Sequence, residues 1–339
     1  MNKVAVIFGG TGFIGAFFAE FLVEKHSFDK VYVIDSEEPQ KKNHPYRQAQ
    51  LSKKGIIYRY ADVRDNLSNL SISESIDLVA NFAAVHREPG HELSEYYETN
   101  IRGAENVCQW ASEVGCKRII FTSSISVYGS SLIPRSEKNT PAPSSAYGGS
   151  KLAAEIIHEK WLAEDSDNRK LIILRPGVVF GPGELGNVSR LIHGVSRGYF
   201  VYTGNRKLRK AGIYIKELCN IAAWTISISE SKNPLIICNC TMDPGPSMQD
   251  YVGAISHANG KKYSPFNVPF LLISIVASIL AFFMDIIKIN HPFNKKRIDK
   301  LLTKNDIQPH FIRENGYEYQ YSLEEAFKDW SETDKSDWM

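Results

Sequence analysis

The chain has 339 residues, of which 40 are basic and 38 acidic, so its net charge at neutral pH is +2. This length is sufficient for one large domain with a smaller appended lobe. The near balance of charges excludes a strong overall positive field of the kind that attracts nucleic acid, and we expect no nucleic-acid partner. The five cysteines are odd in number and lack the spacing of metal ligands, so neither a disulfide framework nor a metal site is expected.

The start of the chain combines an apolar run with a cluster of glycines. Residues 4–8, VAVIF, are typical of a parallel strand that is covered on both faces. Glycines follow at once, and apolar residues then continue at helical spacing. This pattern predicts a strand, a sharp turn and a helix, whose positive end and backbone N–H groups suit a pyrophosphate. The residues expected to contact a cofactor here are Gly9, Gly12, Phe13, Ile14 and Gly15.

A second apolar run, at 31–35, ends in Asp35, twenty residues after Gly15. A carboxylate at that position can accept hydrogen bonds from both ribose hydroxyls of NAD, and it repels the 2′-phosphate of NADP. The glycines alone would also fit an ordinary tight turn. Strand, turn, helix and acid together predict NAD as the cofactor.

The next two apolar runs predict further strands at the same sheet edge. Residues 55–63 end in Asp62 and Val63, where the carboxylate is expected to accept from the adenine amino group and Val63 to contact the ring. A surface turn is the alternative. The strand at 77–85 ends in small residues, and Ala83 is expected to let the backbone approach the diphosphate. Asn100 precedes a long helical pattern and is expected to cap it.

Residues 117–129 predict a fifth strand broken by polar residues, and a strongly periodic helix begins near 146. Within it, Tyr147 and Lys151 lie four positions apart and therefore on one face. A lysine beside the phenol would lower the tyrosine pKa from about 10 by about two or three units, which makes Tyr147 a base near neutral pH. Taken alone, the spacing also fits a solvated pair. Gly148 and Gly149 each cost a helix about 1 kcal/mol, so we expect close approach of cofactor or substrate there.

The remaining pattern alternates strand and helix. Residues 171–183 predict a sixth strand that leaves the sheet near Pro176, an expected cofactor contact, and 235–240 predict a seventh. This order predicts an α/β fold, a doubly wound parallel Rossmann sheet with a smaller C-terminal substrate lobe. We expect an NAD-binding domain at 1–175, completed by the strand near 235–240. The substrate lobe is expected at 176–234 and 241–339.

Residues 268–284 contain no charged side chain and precede a basic cluster. A buried helix of the lobe, a helix lying in the membrane interface and a membrane span all fit this pattern. We expect peripheral membrane contact through 268–287. No signal peptide precedes the first strand, which indicates a cytoplasmic protein, at the inner face of the cytoplasmic membrane if this contact forms. The tail after Ile307 predicts an amphipathic helix capped by Ser322.

Seven short motifs occur in one order along nearly the whole chain: GGTGFIG, Asp62-Val63, NFAA, Asn100, FTSSISVYG, YGGSK and LRPGVVFGPG. In this the chain resembles the extended short-chain dehydrogenase/reductases, the family of nucleotide-sugar epimerases and dehydratases. The resemblance implies catalysis by Ser124, Tyr147 and Lys151, with Asn100 supporting the lysine through water. It also implies that Ser123 shares the serine's role at the substrate, and we expect a homodimer.

Within that family, the segment around Asn187 and the apolar C-terminal stretch are similar to bacterial 4-epimerases of cell-surface polysaccharide synthesis. One such group acts on N-acetylglucosamine carried on undecaprenyl diphosphate. The resemblance implies a diphosphate-linked sugar, bound by the basic residues Arg206, Arg209 and Lys210 together with Asn187. Lys210 stands where the family usually has an arginine, which supplies the charge without bidentate geometry.

Dehydratases of the family carry Asp-Glu after the catalytic hydroxyl residue, but this chain has Ile125 and Ser126 there, which disfavours dehydration. The sequence therefore predicts an NAD-dependent 4-epimerase that acts through a 4-keto intermediate. An NAD-dependent dehydrogenase or reductase of a nucleotide sugar or sterol-like alcohol is the first alternative. A cofactor-binding scaffold without turnover is the second.

Overall fold

The apolar runs form the strands of a parallel sheet at the centre of the protein. The computed structural model describes residues 3–26, 28–39, 44–86, 90–131, 133–230, 233–269 and 306–338. The expected membrane contact at 268–287 lies outside the described residues, apart from its first two positions. In chain order the strands are β1 (Val4–Phe8), β2 (Lys30–Asp35), β3 (Ile56–Tyr60), β4 (Leu78–Asn81), β5 (Arg118–Thr122), β6 (Lys170–Pro176), β7 (Val178–Phe180), β8 (Tyr202–Thr203), β9 (Gly212–Tyr214), β10 (Leu235–Cys240) and β11 (Asn267–Val268).

Helices connect these strands on both sides of the sheet. They are α1 (Phe13–Lys25), α2 (Pro45–Leu51), α3 (Leu93–Tyr96), α4 (Gly103–Glu113), α5 (Ala146–Ala163), α6 (Asn187–Ser196), α7 (Ile215–Ser229), α8 (Met248–Ala258), α9 (His310–Glu314) and α10 (Leu323–Thr333). A π-helical turn, Tyr97–Arg102, joins α3 to α4, and 3₁₀ turns occupy Ile125–Tyr128 and Lys335–Trp338.

The main sheet has the strand order β10-β6-β5-β4-β1-β2-β3, and every pairing in it is parallel. Alternate residues of β1 point to opposite layers: Ala5 and Ile7 pack in one core with α1 and α7, whereas Val6 and Phe8 pack in another with α4 and α5. The predicted doubly wound Rossmann sheet is confirmed. Because β1 pairs with both β2 and β4, the order reverses there, and the crevice above their carboxyl ends is where such sheets bind ligands.

The later segments form a smaller layer beside the sheet. β7 pairs with β9 and β8 with β11, in two short parallel ladders. Aromatic rings hold the C-terminal helix against this layer: the Phe180 and Phe327 rings stack with centroids 5.3 Å apart. The predicted cap is confirmed, since the Ser322 hydroxyl accepts from the Glu325 N–H at 3.2 Å. Among the described residues, none of the helices has the length and apolar character needed to cross a bilayer.

Candidate active site

The glycine-rich turn joins β1 to α1 through backbone contacts too close for any side chain. Gly9 has φ +71°, and a Cβ atom added to it would lie 2.6 Å from the backbone nitrogen of Ala83. A Cβ atom on Gly15 would lie 2.4 Å from the Gly9 carbonyl oxygen. The N-cap residue Gly12 contributes no side-chain hydrogen bond, so the first turn of α1 offers its backbone N–H groups to an anion. This cradle fits the diphosphate of a dinucleotide.

Asp35 lies at the end of β2, beside that turn. One carboxylate oxygen accepts from the backbone N–H of Thr11 at 3.1 Å, and the other accepts from the N–H of Glu37 at the same distance. The carboxylate is therefore held in place and sets a negative charge next to the cradle. This is the position that the sequence predicts for a contact to the cofactor ribose.

Asp62 and Val63 follow β3, and the sequence did not anticipate their neighbours. The Arg64 side chain donates several hydrogen bonds to the Asp62 carboxylate, the shortest from Nη2 to Oδ2 at 2.6 Å. These hydrogen bonds lower the pKa of the Asp62 carboxyl. Val63 is buried, and a Cβ atom on Gly103 would lie 2.8 Å from its Cγ2. The Asp62 carboxylate, which is predicted to contact adenine, therefore also binds Arg64.

The Ser124 turn and the first turn of α5 are packed together. Ser124 lies two residues after the end of β5 and caps the 3₁₀ turn, where its hydroxyl accepts from the Ser126 N–H at 3.1 Å. A Cβ atom on Gly148 would lie 2.4 Å from the Ser126 carbonyl oxygen, so the backbone of α5 touches this turn directly. The contact brings the turn of α5 that carries Tyr147 against Ser124. Gly148 thus makes room for the backbone of this turn, and the expected approach of a ligand to the two glycines stays a prediction. A Cβ atom on Gly149 would meet nothing within 4 Å.

Lys151, one turn further along α5, is 1% exposed, and its Nζ lies 4.2 Å from the centroid of the Phe121 ring. Burial lowers the pKa of Lys151 to about 7, although the nearby Glu155 charge opposes this. The contact with the ring face is a cation–π interaction, which favours the charged ammonium. Burial and the ring contact thus act in opposite directions on the charge of Lys151, which lies on the helix face that carries Tyr147.

Asn100 does not cap a helix, so that prediction is wrong. It lies inside the π-helical turn, and its side chain accepts from Val85 N at 2.9 Å and donates to Val85 O at 3.1 Å. It also donates to the Ser150 hydroxyl at 2.9 Å. Asn100 therefore ties the segment after β4 to α5 at the residue before Lys151.

Ser123 is 1% exposed and its hydroxyl donates to Glu155, so the expectation that it contacts substrate is wrong. Glu155 in turn binds Arg175 through two hydrogen bonds, and Arg175 donates to the Tyr128 hydroxyl at 2.8 Å. The sequence pattern did not predict this buried pair. Its signal is a charged residue on the apolar face of α5 and another at the end of β6, because buried charges are rarely tolerated without partners.

The expected substrate contacts lie in the smaller layer. Asn187 begins α6 at the surface, and Arg206 and Arg209 are also exposed. Lys210 is partly buried, which lowers its pKa, and its backbone N–H donates to Pro246 O at 2.9 Å. Pro176, an expected cofactor contact, is buried at the end of β6. The substrate and cofactor contacts of these residues stay predictions.

Sequence comparison gives relatives with named activities. The model of the NAD dependent epimerase/dehydratase family matches residues 5–237. The N-acetyl-alpha-D-glucosaminyl-diphospho-ditrans,octacis-undecaprenol 4-epimerase of Escherichia coli O157:H7 is 24% identical over 326 residues, which are 96% of this chain and 93% of that protein. The UDP-glucose 4-epimerase of Vibrio cholerae is 30% identical over 245 residues, 70% of each chain.

Solved structures share the fold over the full length. The UDP-glucuronic acid 4-epimerase from Bacillus cereus in complex with NAD has a TM-score of 0.75 at 18% identity, covering 99% of this chain and 100% of that one. The UDP-glucose 4-epimerase from Thermotoga maritima with UDP-glucose has a TM-score of 0.74 at 20% identity, covering 98% of each. The family match spans more than half of the chain, and the glycine cradle fits a dinucleotide. This protein therefore belongs to the NAD-dependent epimerase/dehydratase family.

Proposed function

We propose that the protein is a 4-epimerase of a sugar linked to a diphosphate, acting through a 4-keto intermediate. The observation that carries the proposal is the packing of the first turn of α5 on the Ser124 turn, through Gly148 and the Ser126 carbonyl, with Lys151 buried one turn further on. Bound NAD supplies the chemistry of removing hydride from sugar C4 and returning it to the opposite face.

The chain's own residues move and hold the proton. Tyr147 takes the proton of the sugar 4-hydroxyl and later returns it, which requires a phenol that ionises near neutral pH. Lys151 lies on the same helix face, and its charge favours the phenolate. Ser124 donates a hydrogen bond to the sugar oxygen as it becomes a ketone. Asn100 keeps α5 in register with the segment after β4 through its three hydrogen bonds.

Dehydration is disfavoured because Ile125 and Ser126 follow the catalytic serine and neither can protonate a leaving hydroxyl. The named activities of the relatives from Escherichia coli and Vibrio cholerae, both 4-epimerases, favour epimerisation over net oxidation. We keep two carriers for the sugar, a nucleotide and undecaprenol, since one relative names each. The likeness to the first relative extends over 96% of the chain, which favours an N-acetylhexosamine on undecaprenyl diphosphate and a role in surface polysaccharide synthesis.

The test offers UDP-linked and undecaprenyl diphosphate-linked N-acetylglucosamine to the purified protein with NAD, followed by chromatography of the released sugars. We expect the 4-epimer to form without accumulation of NADH. Tyr147→Phe should reduce turnover by about 10²–10⁴ with NAD affinity within about a few fold, because one general base is lost and the ring is kept. Steady release of NADH would indicate a dehydrogenase instead. NAD binding without turnover of either substrate would indicate a scaffold.

We propose that the lobe formed by 176–234 and 241–339 binds the substrate, with Lys210, Arg206, Arg209 and Asn187 at its diphosphate. Partial burial of Lys210 in that basic segment supports this, because a half-buried ammonium favours an anionic partner. Lys210→Ala should raise the substrate KM more than it changes the Kd for NAD. Lys207→Ala, at an exposed neighbour, is the matched control. An equal loss in KM and NAD binding would contradict the assignment.

We also propose that the protein is a homodimer located at the inner face of the cytoplasmic membrane. The lipid-linked substrate proposed above and the charge-free segment 268–284 support the location. An exposed apolar side chain on α5, Ile156 at 60% exposure, supports an interface on that helix. The membrane location predicts that the protein sediments with membranes and is released by detergent more than by salt, since salt screens only charges.

Analytical ultracentrifugation of the full chain and of Ile156→Asp tests the homodimer, and a monomeric wild type would contradict it.

A further inference from the structure

Three side chains that are distant in the sequence lie together at the C-terminal end of the protein. His44 precedes α2, Asp334 follows α10, and Asp337 lies in the last 3₁₀ turn. His44 Nε2 lies 3.5 Å from Asp334 Oδ2 and 3.8 Å from Asp337 Oδ1. One nitrogen and two oxygen atoms, one from each residue, all lie within 4.8 Å of one another.

The carboxylates are oriented by hydrogen bonds to their other oxygens. Asp334 Oδ1 accepts from the Ser336 N–H at 2.9 Å and from its hydroxyl at 2.6 Å. Asp337 Oδ2 accepts from Gly183 N at 3.2 Å and from Trp330 Nε1 at 2.9 Å. Each aspartate therefore has one oxygen held by donors and one turned to His44. Metal-binding carboxylates are commonly held in this way by outer hydrogen bonds.

The three side chains are largely shielded from water, so the charges of the two carboxylates are costly without a positive partner. His44 and Asp337 are each 6% exposed, and the Asp334 side chain is 12% exposed. The His44 Nδ1 atom is buried and has no hydrogen-bond partner within the described part of the chain. Two carboxylates that converge inside a protein need a positive partner, and buried charges are usually paired or coordinate metals.

We propose that His44, Asp334 and Asp337 together bind a divalent transition-metal ion, of which Zn²⁺ is the best match. Zinc binds imidazole nitrogen and carboxylate oxygen at about 2.0–2.2 Å, so tetrahedral ligand atoms lie roughly 3.4 Å apart. The distances of 3.5 and 3.8 Å from His44 Nε2 are close to this value, and all three ligand atoms lie within 4.8 Å of one another, so the carboxylates would move inward to bind the ion. Water would complete the coordination.

The ion would have a structural role that fastens the C-terminal turn to the nucleotide-binding region. Gly183 connects Asp337 of the C-terminal turn to Arg47 of α2. Its N–H donates to Asp337, and its carbonyl oxygen accepts from Arg47 Nη2 at 2.9 Å. Arg47 in turn lies 5.7 Å from the centroid of the Phe13 ring, at the start of α1. The ion would thus hold the tail, the Gly183 loop and α2 together. This inference does not depend on the proposed 4-epimerase activity.

The test uses the full chain, stripped with a chelator and then titrated with ZnCl₂. Calorimetry should show one ion per chain, and Tm should rise by about 2 °C or more at a hundredfold excess of Zn²⁺ over its Kd. Co²⁺ should give the visible absorption of a tetrahedral site. Asp334→Asn keeps the side-chain shape and should weaken zinc binding at least about tenfold.

Glu332→Gln is the matched control, since it removes an exposed carboxylate from the same end of α10. It should bind Zn²⁺ like the wild type. His44→Gln and Asp337→Asn provide second and third variants, so poor folding of one does not leave the proposal without a test. Absence of stoichiometric zinc binding by the wild type would overturn the proposal and leave a histidine–carboxylate pair. Equal zinc affinity of Asp334→Asn and Glu332→Gln would overturn it as well.

Discussion

Glu155 and Arg175 form a bidentate ion pair inside the protein, with hydrogen bonds of 2.8 and 2.6 Å and side chains only 1% and 4% exposed. The pair adjoins the Ser124 turn, because Ser123, the residue before Ser124, donates to Glu155. On the far side, Arg175 donates to Tyr128, whose hydroxyl donates to Asn239 Oδ1 at 2.9 Å in β10. This chain of hydrogen bonds connects α5 to the edge strand of the sheet.

Neutralising Glu155 should destabilise the fold strongly. In Glu155→Gln the Arg175 charge stays buried without a counter-charge, and breaking such a pair typically costs about 3–5 kcal/mol. The free energy of unfolding, measured in urea by circular dichroism, tests this. Glu159→Gln is the control on the next turn of α5, where burial already raises the pKa of the carboxyl, so its loss should change stability little. Similar effects of both variants would contradict the assigned role of the pair.

The two adjacent glycines of α5 should respond in opposite directions to a methyl group. Gly148→Ala places Cβ 2.4 Å from the Ser126 carbonyl oxygen and should separate Tyr147 from Ser124, with loss of both stability and turnover. Gly149→Ala meets no protein atom within 4 Å and should stabilise the helix by up to about 1 kcal/mol. Thermal unfolding of both variants measures this difference. If Gly148→Ala were as stable as Gly149→Ala, the contact with the Ser126 carbonyl would not be limiting.

Lys151 should make the stability of the NAD-free protein rise with pH. Burial lowers the pKa of Lys151 to about 7 in the folded state, from an ordinary value of 10.5. Between these values the unfolded chain binds the proton and the folded chain does not, so the free energy of unfolding increases by about 1.4 kcal/mol per pH unit. The difference in stability between wild type and Lys151→Met should therefore grow from pH 7 to pH 9 and be flat below pH 7.

The control for this pH series is Lys160→Met, which removes an exposed lysine from the same helix and should show no such slope relative to wild type. Urea unfolding at four pH values measures both differences. Parallel stability curves for wild type and Lys151→Met across pH 7–9 would mean that Lys151 keeps its proton in the folded protein.

Asp35 should determine the preference for NAD over NADP. Its carboxylate is fixed by Thr11 N and Glu37 N beside the glycine turn, where it repels a 2′-phosphate. Asp35→Asn removes the charge and retains an oxygen acceptor for one of these two N–H groups, so the ratio of NADP to NAD dissociation constants should fall. Calorimetric titration with both cofactors measures the ratio. Glu38→Gln, at an exposed neighbour, should leave it unchanged. Tighter binding of NADP by the wild type would contradict the role of Asp35.

The sequence by itself determined the sheet, the glycine turn, Tyr147–Lys151 on one helix face and the Ser322 cap. These features depend on residues a few positions apart, and the periods of strand and helix place such residues relative to one another. The strand at 235–240 was also predictable, because its apolar run resembles those of the other buried strands. The order of the seven short motifs also indicated the protein family, through their resemblance to its known motifs.

Only the tertiary structure decided the direction of side chains whose partners are far away in the chain. Asn100 meets Ser150, 50 positions away, Ser123 faces Glu155, and His44 meets Asp334, 290 positions later. A hydroxyl, amide or imidazole can satisfy its hydrogen bonds in several directions, and local spacing does not choose between them. The choice follows from which buried charges and backbone groups the packed layers bring within reach, because each must find a partner once water is excluded.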